Sequence, residues 1–132
     1  MTYSQRLLLP CAIALLAGCA QQPTSVTVEE KQLGKCPVEL HNGQTLVVSL
    51  PSNPTTGFRW VVADTAPTVL RSLGPEVYTT PEDAGLVGSA GKSTWRYQAY
   101  QAGQARLLMQ YQRPWEAGVP PAKTINCQVE VR

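Results

Sequence analysis

From Thr45 onward the chain alternates apolar and polar residues with a period of two. Leu46, Val48 and Leu50 share one face of "QTLVVSL". In "STWRYQAY", Trp95, Tyr97 and Ala99 alternate with Thr94, Arg96 and Gln98. In "GQARLLMQYQ", Ala105, Leu107, Met109 and Tyr111 fall opposite Arg106, Gln110 and Gln112, with Leu108 breaking the pattern. In "TINCQVEVR", Ile125, Cys127, Val129 and Val131 alternate with Asn126, Gln128 and Glu130. Successive side chains of a strand point to opposite faces, so these runs predict strands with one buried face. No amphipathic run long enough for a helix of ordinary length occurs among them. The prolines and glycines are spread between the runs as turn punctuation, without an internal repeat. Roughly seven short strands separated by turns predict an all-β domain, an antiparallel β-sandwich that is immunoglobulin-like in the broad sense. Trp60 and Trp95 are expected in its core.

The first eighteen residues follow a different pattern. "MTYSQR" carries one positive charge and precedes "LLLPCAIALLAG", an apolar run too short to span a bilayer comfortably. Residues 1–18 therefore read as an export signal. Its end, Leu16-Ala17-Gly18-Cys19, resembles the bacterial lipoprotein cleavage box, in which the cysteine becomes the acylated first residue. An ordinary secretory signal with Cys19 incidental is the alternative. The resemblance implies a membrane attachment by lipid at Cys19, an acylated tether over 19–32 and a folded domain over 33–132. Ala20 stands where an aspartate would resemble an inner-membrane retention signal. The expected location is therefore periplasmic, on the outer membrane.

Charge and residue chemistry then exclude several functions. Charged residues make up 15% of the 132, and the net charge is +2. With Arg6 removed, ten basic residues face nine acidic ones and form no cluster, which is no footprint for nucleic acid. His41, the single histidine, lies beside Asn42-Gly43 and reads as a turn residue; without clustered ligands it makes no metal site, and no cofactor is implied. Ser49 and Ser52 have no histidine partner, and Glu29-Glu30 and Glu82-Asp83 read as solvated loop charges. No catalytic residue is assigned and no enzymatic activity is expected. Cys11 leaves with the signal. Cys36 and Cys127 remain in an oxidising compartment and read as a disulfide joining the first strand to the last, with two buried thiols as the alternative.

Three loops stand out. "NPTTGF" combines Pro54, which fixes its own φ and holds Asn53 extended, with the χ1-stiff Thr55 and Thr56. Gly57 admits a backbone conformation that other residues avoid, and Phe58 can pin the loop base. A protruding, pre-ordered turn is expected. "GLVGSAGKS", Gly85 to Ser93, is small and glycine-rich, so its backbone can lie close to another surface. "QRPWEAGVPP" offers Arg113, the φ-locked Pro114 and Trp115 at a strand end.

In that order, Asn53-Pro54-Thr55-Thr56-Gly57-Phe58, the glycine loop Gly88-Ser89-Ala90-Gly91 and Arg113-Pro114-Trp115 resemble the chagasin family of cysteine-peptidase inhibitors. The resemblance covers about Cys36 to Val131. One departure is Ala90, which stands where the family loop usually carries a glycine. The resemblance implies a monomeric immunoglobulin-like domain whose three loops enter the cleft of papain-like cysteine peptidases, reversibly and without a covalent bond. The turn at Asn53–Phe58 would block the catalytic residues. Loop residues Leu86, Val87, Gly88, Ser89, Ala90 and Gly91 on one side, and Arg113, Pro114 and Trp115 on the other, would grip the cleft. A structural or docking lipoprotein of the envelope is the alternative function.

Overall fold

The computed structural model describes residues 23–82 and 90–132, with the isolated positions Thr2 and Pro10. Cys11 and Cys19 lie outside the described residues, as do Leu86, Val87, Gly88 and Ser89. Among the described residues nine strands form: β1 (Ser25–Glu29), β2 (Val38–Leu40), β3 (Thr45–Ser52), β4 (Arg59–Thr65), β5 (Leu70–Ser72), β6 (Val77–Thr79), β7 (Gly91–Ala99), β8 (Gly103–Gln112) and β9 (Lys123–Val131). Short 3-10 turns occupy Glu30–Lys35 and Pro54–Thr56, and no α-helix occurs among the described residues. One sheet has the order β1-β3-β7-β5, with β6 also paired to β7; the other has the order β2-β9-β8-β4. The expected all-β, immunoglobulin-like sandwich is therefore what the chain forms.

The alternation seen in the sequence becomes the core. Leu46, Val48 and Leu50 of β3 and Trp95, Tyr97 and Ala99 of β7 are buried from one sheet. Leu107 and Met109 of β8, and Ile125, Cys127, Val129 and Val131 of β9, meet them from the other. Trp60 and Trp95 are buried as expected, and the Trp60 indole N–H donates to the Pro51 carbonyl at 3.0 Å. Each fully buried large aliphatic side chain contributes about 1.5–3 kcal/mol, so these two facing surfaces drive the fold. The central pairings β3–β7, β4–β8 and β8–β9 are antiparallel.

Two features differ from the sequence reading. The edge strands β1 and β2 run parallel to β3 and β9. They can do so because an even number of reversals separates each from its partner: the chain climbs β1, comes down β2 in the other sheet, reverses at Asn42-Gly43 to climb β3, and descends again in β9. It crosses from one sheet to the other through the Glu30–Lys35 turn. The second difference concerns the tether expected over 19–32. Its later part, Ser25–Glu29, is a strand inside the first sheet, with Val28 buried. Apolar burial on one face and a ladder of hydrogen bonds hold it there in place of a free linker.

A disulfide links Cys36, just before β2, to Cys127 in β9, with Cα atoms 5.3 Å apart. It fastens the crossing segment to the central part of the second sheet. The bridge closes a loop with a sequence separation of 91. Loop-closure entropy assigns such a bridge up to about 4–5 kcal/mol. The double variant Cys36→Ala/Cys127→Ala is expected to lose about 2–4 kcal/mol in urea unfolding, with its midpoint lowered and its slope raised, because the released unfolded chain exposes more surface.

Burial also acts on Tyr97, whose desolvated phenol is pushed above its ordinary value. Below pH about 10 the phenol is neutral in both folded and unfolded chains and has no effect. Above that pH the unfolded chain ionises first, so the folded state loses stability as pH rises toward the folded value. Unfolding measured between neutral and strongly alkaline pH is expected to show this decline, and Tyr97→Phe is expected to flatten it.

Candidate functional site

Strand polarity places the singled-out loops at one end of the sandwich. β3 climbs from the Asn42-Gly43 turn to Ser52, and β4 descends from Arg59. β8 ends at Gln112 and β9 begins at Lys123 at the same level, as the pairings Arg59↔Gln112 and Tyr111↔Lys123 require. Asn53–Phe58 and Arg113–Ala122 are thus neighbours. Ala90 and the start of β7 reach this end through the pairing Ser52↔Gly91.

Asn53–Phe58 is not an open loop. Pro54 begins a single 3-10 turn over Pro54–Thr56. Thr56 N–H donates to the Asn53 carbonyl at 3.2 Å and Gly57 N–H to the Pro54 carbonyl at 3.0 Å. Gly57 closes the turn in the left-handed region, with φ 83°. Both threonine hydroxyls are used within the turn. Thr55 Oγ1 donates to Asn53 Oδ1, and Thr56 Oγ1 donates to the Asn53 carbonyl at 2.7 Å. Thr56 Oγ1 also accepts from Phe58 N–H at 3.4 Å. The composition that looked specific in the sequence is the hydrogen-bonding set of one turn.

The base of the turn is bolted to the core by aromatic rings. Tyr111 lies 4.8 Å from Trp60 and 5.1 Å from Phe58, centroid to centroid, and its hydroxyl accepts Asn53 N–H at 3.1 Å. The Arg113 guanidinium sits 4.4 Å above the Phe58 ring. Arg113 Nε donates to the Thr56 carbonyl at 3.1 Å, and Nη1 pairs with Glu116 at 3.1 Å. Arg113 is therefore a brace between two loops and is itself held in place by Glu116.

Trp115 is the exposed member of the set, at 66% of its surface. It does not close the end of the core. Its ring lies over Gly57, where a Cβ would overlap Cη2 of the indole. Gly57 is thus required twice, by its positive φ and by this close approach. Near the second loop, a Cβ at Gly91 would overlap the Thr79 carbonyl and crowd the Tyr78 hydroxyl. Gly91, Lys92 and Ser93, read from the sequence as loop, already belong to β7. The glycine there serves close strand packing.

Of the expected site residues, Asn53–Phe58, Arg113, Pro114 and Trp115 come together, with Ala90 and Gly91 at the same end. Tyr111 and Glu116 were not singled out in the sequence. Tyr111 read only as the last residue of an alternating strand face. Its signal was its position two residues before Arg113, which places its ring beside the neighbouring loop. Among the described residues, no group of three or more His, Cys, Asp or Glu side chains could hold a metal ion.

The site is thus a braced turn with an exposed tryptophan beside it, at one end of a β-sandwich. The chain belongs to the chagasin family of peptidase inhibitors: the family model described as chagasin family peptidase inhibitor I42 matches residues 39–129. Members of this family are inhibitors of peptidases, not enzymes. The chain is 33% identical over 88 residues to chagasin from Trypanosoma cruzi, covering 57% of this chain and 77% of chagasin. Its fold is similar to that of EhICP2, a cysteine protease inhibitor from Entamoeba histolytica. There the TM-score is 0.64 at 20% identity, over 82% of this chain and 95% of the other. It is also similar to PbICP-C, solved in complex with falcipain-2, with TM-score 0.51 at 16% identity over 82% and 89% of the two chains.

The double demand on position 57 gives a direct test. Gly57→Val is expected to strain the turn by about 1–3 kcal/mol and to dislodge the Trp115 ring. The emission of Trp115, isolated by Trp60→Phe and Trp95→Phe in both backgrounds, is expected to shift toward that of a fully solvated indole, while β-sheet circular dichroism is retained.

Proposed function

We propose that this chain is a reversible, non-covalent inhibitor of papain-like cysteine peptidases that fills the substrate cleft with the loops at one end of the sandwich. The observation that carries this reading is the 3-10 turn at Pro54–Thr56, closed by its own hydrogen bonds and braced from below by Tyr111 and from the side by Arg113. A turn ordered before binding loses little conformational freedom on entering a cleft, so more of its contact energy appears as affinity. A peptidase cleaves chain laid out in extended form. A turn whose amides already donate within the turn resists being drawn into that form, so it obstructs without being cut.

Family membership supports peptidase inhibition, and the complex of PbICP-C with falcipain-2 is an example on the same fold. In this reading the Asn53–Phe58 turn covers the catalytic residues of the target. Trp115 supplies a large, rigid contact beside it, and Gly88–Gly91 lies along the opposite wall. The threonine hydroxyls act by shaping the turn. The lipoprotein-like box at Cys19 supports anchoring of the inhibitor to a bacterial membrane, on the periplasmic side. The domain acts as a monomer, since one copy carries every loop the reading uses.

The inhibition constant against a papain-type peptidase tests the reading. Trp115→Ala removes a mostly exposed ring, so its thermal midpoint is expected to stay close to that of the parent. Its inhibition is expected to weaken by at least about 2 kcal/mol, roughly thirtyfold, as for a hot-spot tryptophan. Thr68→Ala, in a turn at the opposite end, is expected to inhibit like the parent. An unchanged constant for Trp115→Ala would count against the loop mechanism.

A further inference from the structure

β1 runs parallel to β3, with Ser25 opposite Thr45 and Glu29 opposite Ser49. The chain therefore enters the sandwich at the end away from the Asn53–Phe58 turn. It is fixed there at Pro23 and Thr24. Thr45 N–H donates to the Thr24 carbonyl at 2.9 Å, and Gln44 Nε2 donates to the Pro23 carbonyl at 2.6 Å. From this level β3, eight residues long, climbs about 23 Å before the turn begins.

Cys19 stands four positions before Pro23. A fully extended chain spans at most about 3.3–3.6 Å per residue, so Cys19 lies within about 14 Å of the fixed Pro23. That reach is shorter than β3 alone. Acyl chains on Cys19 would hold the entry end of the domain at the headgroups. The short link excludes the inverted arrangement, in which the opposite loops meet the headgroups and the entry end is outermost.

The surface at this end suits contact without insertion. It is built by the turns at Asn42-Gly43, Ala66–Val69 and Gln101-Ala102 and by Arg132. Asn42 N–H donates to the Arg132 carbonyl at 2.9 Å. Asn42 and Gln101 are exposed and uncharged. The Arg132 side chain is already paired with Glu39 at 3.4 Å and Glu130 at 3.5 Å. The exposed large apolar side chains, among the described residues, are Val61, Leu73, Val77, Tyr78, Trp115 and Val119, and none lies in these turns. A surface without a cluster of free cations gains little from anionic lipids, so the short link and not charge would do the positioning.

We propose that the end formed by the Asn42-Gly43 and Gln101-Ala102 turns rests against the phospholipid headgroups. The peptidase-binding loops are then carried outward, toward targets arriving from the aqueous side. This rests on the reading of Cys19 as the acylated residue, and it adds an interaction surface and an orientation to it.

The test uses the acylated full chain, purified from membranes and reconstituted in phosphatidylethanolamine–phosphatidylglycerol vesicles that contain a headgroup-spin-labelled lipid. Gln101→Cys and Val119→Cys are each labelled with an environment-sensitive fluorophore. The Gln101 probe is expected to lose most of its emission and the Val119 probe to keep nearly all of it, at low and high salt alike. Equal quenching, or stronger quenching at Val119, in protein that floats with the vesicles would overturn the orientation while leaving the anchor standing. Protein that carries no acyl chain by mass and does not float removes the anchor, and the proposal falls with it. Inserting a flexible Gly-Ser segment of about thirty residues after Gln22 is expected to erase the contrast, since such a linker can extend to roughly 100 Å, well past the domain's height. A contrast that survives the insertion would show that the short link is not what orients the domain.

Discussion

The Tyr111 ring is held between Trp60 and Phe58, and through it the order of the core is passed to the loops. Trp60 is buried and anchored by its indole N–H to Pro51, at the end of β3. Phe58 has no such anchor and is held by the ring below it and the guanidinium above. The stack thus runs from apolar interior to solvent in four side chains, Trp60, Tyr111, Phe58 and Arg113. Each orients the next. The Tyr111 hydroxyl fixes where the turn begins, at Asn53, and Arg113 fixes where it bends, at Thr56. A loop supported this way behaves as an extension of the scaffold.

The same division explains what could be read from the sequence. β3, β7, β8 and β9 were legible because each buries one full face, and burial enforces a period of two. β5 and β6 are three residues each and leave Leu73, Val77 and Tyr78 exposed nearby, so no alternation marks them. β1 does alternate, with Val26 and Val28 inward, but it is a five-residue edge strand without a turn signal before it. The choice of strand over tether depends on a vacant edge on β3, which is a property of the assembled sheet. The turn at Asn53–Phe58 was legible because Pro54 and Gly57 act on the backbone locally. The brace from Arg113 was not, since it joins atoms 57 positions apart. Trp115 read from the residues themselves only as a tryptophan at a strand end. Only the tertiary arrangement sets it over Gly57.

The N-terminal crossing gives the sandwich a lateral closure. β1 covers the edge of one sheet and β2 the edge of the other, and the segment between them spans the gap. Lys123 pairs with Glu30 at 2.8 Å across that gap, and the Cys36–Cys127 bond fixes its far end. β1 and β2 are themselves the outermost strands of the two sheets. The family match begins at residue 39, so β1 and Cys36 lie before the matched residues.

The contact between the Trp115 ring and the bare backbone of Gly57 has a consequence for inheritance and engineering. Position 57 cannot drift while the tryptophan stays over it. A larger residue at 57 evicts the indole, and a smaller residue at 115 uncovers a glycine whose only remaining claim is its φ. The two loops are therefore a single heritable unit, although more than fifty residues of chain separate them. Anyone transplanting the Asn53–Phe58 hexapeptide to another scaffold would carry over a sequence but not its shape. The smallest portable piece includes Tyr111, Arg113, Trp115 and Glu116, which makes it a property of two strand ends and not of one peptide.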